Sequence, residues 1–174
     1  MSPHIMILGI GNLLFTDEGF GIRVLSQLLE RYRFPENVSL EDGGVLGVNL
    51  LGIISRADHL IVIDAVRNQG KPGDIHRLEG ADLPERIRLK NSLHQVDFLE
   101  ALTLCQALDK VPQTVVLGVE PADIETLSTE LTPAVQAKVQ PMVQMVLAEL
   151  ARLGVECRQG ECRVPCDPLK SCHD

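Results

Sequence analysis

The chain has 174 residues, 45% of them hydrophobic and 23% charged, a composition that predicts one folded domain with a substantial core. Its 16 basic and 24 acidic residues leave a formal net charge of -8, and it holds no Trp, one Tyr and four Phe. This balance argues against nucleic acid, which asks for Lys and Arg against phosphates and aromatic faces under bases, and against an anionic membrane surface.

Ile5 to Ile10 is a continuous apolar run ending at Gly11, the pattern of a strand buried on both faces. Phe20, Val24, Leu25 and Leu28 then fall at helical spacing within Gly19 to Leu29, with Thr16 and Asp17 ahead of them as expected caps. Val38 to Glu41 reads as a second strand, Asp42-Gly43-Gly44 as a turn, and Leu46 to Ser55 as a short helix. His59 to Ile63 is a third strand closing at Asp64, and Ile75 to Leu78 a short edge strand after the breaker-rich Asn68 to Asp74. Ser92-Leu93-His94-Gln95 matches a capping box, and Phe98, Leu102, Cys105 and Leu108 follow it at helical spacing. Thr114 to Val119 is another buried strand. Thr132-Pro133 opens a last helix, whose stripe Val135, Val139, Val143, Val146 and Leu150 predicts one element kinked at Pro141.

Strands alternating with helices predict an α/β protein: a three-layer α/β/α sandwich around a twisted, mostly parallel sheet of about five strands. Residues 1–155 make this domain. Residues 156–174 are expected to form a mobile Cys-rich tail, because four of the five cysteines (Cys157, Cys162, Cys166 and Cys172) fall there. The tail spacing lacks the paired C-x-x-C of a zinc site. No stretch approaches the roughly 18 consecutive apolar residues of a membrane span. Met1 to Gly11 carries no basic region of a secretory signal, so a cytoplasmic protein is expected.

In a doubly wound fold the site lies at the carboxyl ends of the strands, here Gly9 to Glu18, Asp42 to Gly44, Asp64 to Val66 and Gly118 to Pro121. Gly9-Ile10-Gly11-Asn12 begins like a dinucleotide fingerprint, but Leu14 stands where the third glycine belongs, and no Walker pattern follows. Its glycines equally suit a tight strand-to-helix turn. Glu18, Asp64 and His94 are all predicted at this one mouth. The positive end of a helix keeps His94 neutral, and a neutral imidazole with two carboxylates suits a divalent ion such as nickel or zinc. The plainer reading makes them element-end polar residues and a surface histidine. No nucleophile elbow and no H-E-x-x-H helix is present, and Cys105 sits on an apolar stripe.

Gly9-Ile-Gly-Asn-Leu-Leu-Phe-Thr-Asp-Glu-Gly-Phe-Gly21 resembles the opening motif of the hydrogenase maturation proteases. Asp42-Gly43-Gly44, Asp64-Ala65, Ser92-Leu93-His94-Gln95 and Gly118-Val119-Glu120-Pro121 match their further signatures in order, from about residue 5 to 154. The resemblance implies an aspartic-type endopeptidase that removes the C-terminal extension of a nickel-iron hydrogenase large-subunit precursor after nickel insertion. It implies Glu18, Asp64 and His94 as metal ligands, with the nickel supplied by the substrate. Asp42 is then expected as the base, or as the residue that positions water, and Gly43 and Gly44 as the place where substrate backbone approaches closely. The alternatives are a small doubly wound nucleotide- or metal-binding module without peptidase activity, and a metal-dependent hydrolase of another peptide.

Overall fold

The computed structural model describes residues 2–44, 50–80 and 111–160. In chain order these form β1 (Ile5–Ile10), a 3-10 turn (Thr16–Gly19), α1 (Phe20–Arg31), β2 (Tyr32–Arg33), β3 (Val38–Gly44), α2 (Leu50–Ile54), β4 (His59–Ala65), β5 (Ile75–Glu79), β6 (Gln113–Val119), α3 (Pro133–Gln136), α4 (Val139–Arg152) and β7 (Arg158–Gln159).

Five strands make one sheet in the order β3-β1-β4-β6-β5. All pairings are parallel except β5 on β6, which is antiparallel. The mostly parallel α/β sheet expected from the alternation of elements is thus present. Successive side chains of each central strand serve opposite faces. Ile5, Ile7, Ile61, Ile63, Val115 and Leu117 pack with Phe20, Val24 and Leu28 of α1 and Met142, Val143 and Val146 of α4. Met6, Leu8, Leu60, Val62 and Val116 pack on the other side with Ile54 and Ala57. This two-sided burial is why β1, β4 and β6 read as unbroken apolar runs. On the edge strand β5, Arg77 donates to Glu149 of α4 through Nε (2.7 Å) and Nη2 (3.1 Å), tying strand to helix.

Helix α1 meets the sheet with almost no separation. A Cβ on Gly21 would lie 2.3 Å from the carbonyl oxygens of both Ile10 and Ile63, so only glycine lets the first turn of the helix seat across β1 and β4.

Three local expectations are corrected. Asp42, Gly43 and Gly44 are not a turn after β3 but its last residues: Gly9 pairs with Asp42 and Ile10 with Gly44, which leaves Gly43 as a bulge. Thr16 and Asp17 do not cap α1; they belong to the 3-10 turn, and Gly19 is the N-cap. The stripe from Val135 to Leu150 is two helices, broken at Ala137 and Lys138. Pro141 then falls in the first turn of α4, where its missing N–H removes no helical bond, and no kink is needed. The expected helix after Ser92, with Phe98, Leu102, Cys105 and Leu108, lies outside the described residues, as do 161–174 of the expected tail. Within that tail region Arg158 and Gln159 pair antiparallel with Arg33 and Tyr32. Cys157 is a half-buried free thiol, and burial pushes its pKa up, away from the reactive thiolate.

Replacing Gly21 by Ala should cost about 3 kcal/mol, because two backbone carbonyls would have to move. Urea unfolding of Gly21→Ala beside the wild type measures it, and an unchanged midpoint would contradict the close seating.

Candidate active site

Because β3, β1, β4 and β6 run parallel, Ile10, Gly44, Ala65 and Val119 all end at the same edge of the sheet. Antiparallel β5 begins there, with Ile75 opposite Val119. The 3-10 turn with Glu18 lies against the end of β4, the strand that carries Asp64. Glu18 is half-buried and Asp64 is buried, with one carboxylate oxygen accepting the N–H of Ala65 (2.8 Å). The carbonyl of Glu18 accepts the N–H of Asn12 (3.2 Å). Gly11 makes that closure possible: its φ is +138°, and a Cβ there would lie 1.8 Å from the Glu18 carbonyl oxygen. The G-x-G segment therefore closes a tight loop that seats Glu18, rather than cradling phosphates.

Asp42 sits on the far side of β1, at the bulged end of β3. It is exposed, and its Oδ1 accepts the N–H of Gly44 (2.8 Å). Gly43 is buried, and a Cβ would press on the Leu8 side chain at 2.9 Å; Gly44 has a φ of +30°. Both glycines thus have a structural reason to be there. The sheet brings Glu18, Asp64 and Asp42 to one mouth. His94 lies outside the described residues, and among those residues no three of His, Cys, Asp and Glu cluster tightly enough to hold a metal ion. Two carboxylates at this mouth suit a hard or borderline divalent cation and would need a further donor to complete a site.

Two acids that build the mouth carried no signal beyond their place in motifs. Asp17 is fully buried and accepts from four donors: Ala122 N (2.8 Å), Asp123 N (3.0 Å), Thr132 N (2.8 Å) and Thr132 Oγ1 (2.9 Å). Thr132 heads α3 but spends its hydroxyl on Asp17 rather than on its own helix. Glu120, also buried, takes the N–H of Asn68 (2.7 Å) and Gly70 (3.2 Å) on one oxygen and lies 3.1 Å from His76 Nε2. Asp17 ties the loop after β6 to the Glu18 turn, and Glu120 ties down the loop after β4. Within the loop after β6, the Thr126 hydroxyl, then the N–H groups of Thr126 and Glu125, hold the Asp123 carboxyl below the usual carboxylate range.

Residues 22–149 match the family model described as hydrogenase maturation protease. The chain belongs to that family. It is 43% identical over 156 residues to the hydrogenase expression/formation protein HupM of Azotobacter chroococcum, covering 88% of this chain and 75% of that one. It is 38% identical over 155 residues to the hydrogenase 2 maturation protease of Escherichia coli, covering 88% of this chain and 94% of that one. Among solved structures it is similar to the hydrogenase maturating endopeptidase of E. coli, with a TM-score of 0.86 at 35% identity over 90% of this chain and 97% of the other. It also resembles the nickel-iron hydrogenase maturation protease of Thermococcus kodakarensis, with a TM-score of 0.70 at 25% identity over 84% and 98%. The protein is therefore a peptidase of hydrogenase maturation. No helix among the described residues is long and apolar enough to cross a membrane.

Asp17→Asn should destabilise the fold by about 2 kcal/mol, because an amide nitrogen then faces the buried N–H groups of Ala122 and Asp123 or of Thr132, whichever way the side chain turns. Thr132→Val, which loses only the hydroxyl, should cost about 1 kcal/mol. Chemical denaturation of both variants checks the order, and an Asp17→Asn as stable as the wild type would refute the anchor. Asp123 gives a pH prediction. Its folded pKa is lowered, so its stabilisation is complete above the ordinary carboxylate range and is lost as pH falls through the lowered value. Amide exchange at Glu125 and Thr126, corrected for intrinsic rate, should stay flat through pH 5 and accelerate only in stronger acid.

Proposed function

We propose that the protein is an endopeptidase that removes the C-terminal extension from a nickel-iron hydrogenase large-subunit precursor once nickel has been inserted, acting in the cytoplasm. The observation that carries this reading is the convergence of Glu18 and Asp64, from different elements, at one end of the sheet in a chain of this family. The nickel arrives as part of the substrate. Glu18, Asp64 and His94 complete its coordination, so a loaded precursor gains bonds to the sheet mouth that an empty one lacks. Loading thereby decides which precursors are held long enough to be cut.

Asp42 positions or deprotonates the attacking water. Its Oδ1 is held by Gly44 N–H, and among the described residues no hydrogen bond occupies Oδ2. The water oxygen bonds to the scissile carbonyl carbon, the C–N bond breaks, and the proton taken from water passes to the departing amine. The bulge at Gly43 and Gly44 leaves no side chain between the end of β3 and a bound peptide. The alternative of a nucleotide-binding module has less support, since Gly11 and Gly21 are used in closing the Glu18 turn and seating α1.

Purified protein should shorten nickel-loaded precursor and leave nickel-free precursor intact, as read by intact-mass spectrometry. Equal trimming of both would remove the nickel-sensing role, and trimming of neither would remove the peptidase assignment to this substrate. His94→Ala should lower processing at least about a hundredfold and keep the wild-type melting temperature; undiminished processing would break the ligand trio.

A further inference from the structure

Large exposed apolar side chains of the mouth lie on two adjoining loops. Leu13 and Leu14, 40% and 58% exposed, precede the Glu18 turn, and Leu127, 73% exposed, lies in the loop after β6. The two loops are joined along their main chains. Ser128 N donates to Leu14 O (2.9 Å), Phe15 and Leu127 form an antiparallel bridge, and Thr16 Oγ1 donates to Thr126 O (2.7 Å). The Arg23 guanidinium donates to Thr129 O, and Asp17 anchors the whole from below. The leucines therefore stand on a braced lip and are not the tip of a loose loop. Exposed apolar residues on adjoining loops beside an active site offer a contact surface.

The residues of the two loops themselves carry only negative charge. Residues 2–22 and 112–137 contain no Lys or Arg. Glu125 and Glu130 are exposed on the lip, Glu18 is half-buried behind it, and Arg23, whose guanidinium is engaged with Thr129, is the cation nearest in sequence. The basic residues Arg67 and Lys71 belong to the separate loop after β4.

We propose that this lip is the docking surface for the precursor's C-terminal extension, received as an extended segment with apolar side chains against Leu13, Leu14 and Leu127 and basic side chains toward Glu125 and Glu130. The inference rests on the peptidase reading above and adds to it a second point of substrate recognition that does not involve metal. Because the lip is preformed, little ordering of the enzyme opposes binding. Contacts made here are as strong before the reaction as during it, so they govern KM and leave kcat alone.

The test uses nickel-loaded precursor with the full chain, reading cleavage and, on immobilised precursor, binding. Leu14→Ser/Leu127→Ser should raise both KM and the dissociation constant about tenfold, with kcat within about twofold and an unchanged melting temperature. Glu125→Lys/Glu130→Lys should raise KM several-fold at low salt, and the difference should fade at high ionic strength. Unchanged KM and binding in both variants would overturn the lip, as would a wild type that sediments as a dimer and becomes monomeric in the leucine variant. Wild type that binds the precursor through the lip without cutting it would instead refute the peptidase reading and leave the lip standing.

Discussion

The mouth of the sheet is organised by a carboxylate that water cannot reach. Asp17 is fully buried, and among the described residues it accepts hydrogen bonds only from N–H and O–H groups. A buried acid left without donors costs several kcal/mol, so the chain must bring donors to it. They come from Ala122, Asp123 and Thr132, more than a hundred residues away in sequence. One side chain thereby makes a single body of the 3-10 turn, the loop after β6 and the start of α3. Glu120 repeats the device for the loop after β4, through Asn68, Gly70 and His76. The strands are held by apolar packing, while among the described residues the 3-10 turn and the loops after β4 and β6 are held by buried acids.

That division explains what could be read ahead of the structure. Strands β1, β4 and β6 are apolar on both faces because helices cover both, so composition alone marks them, and the parallel order then sends Glu18 and Asp64 to one end. Asp17 was indistinguishable from a helix cap, since an acid ahead of a helix looks the same whether it turns toward its own backbone or toward Thr132. The bulge at Gly43 was hidden for a similar reason: it exists only in the register of β3 against β1, and a D-G-G string alone reads as a turn. The stripe through Val135 and Leu150 kept its period across the break at Ala137, because both α3 and α4 bury the same face against the same core. His94 and the helix expected around it fall outside the described residues, so the third member of the trio rests on the motif.

The glycines of the opening motif show how a family signature can arise from packing rather than ligand contact. Gly21 clears the carbonyls of Ile10 and Ile63, and Gly9 clears the backbone of Gly21, so α1 starts directly above the strand ends. Gly11 then turns the chain back so that Asn12 can bond the Glu18 carbonyl. A side chain at any of these positions would displace the turn that carries the acid. Motif and site are thus linked through backbone geometry, which is why a G-x-G without a third glycine belongs here to a peptidase.

The two aspartates at the strand ends sit in opposite environments, and this suits the division of labour proposed for them. Asp64 is buried and its carboxylate is fixed against the next peptide N–H, which gives a ligand the constant direction that coordination requires. Asp42 is exposed at a bulge, where it keeps contact with water and with whatever peptide lies across the mouth. Strand β1 stands between them, and two parallel spacings of about 4.8 Å separate their strands by roughly 10 Å. That separation leaves room for a metal bound on the Asp64 side and a scissile peptide with its water on the Asp42 side, so recognition and hydrolysis can occupy one cleft without competing for the same oxygen atoms.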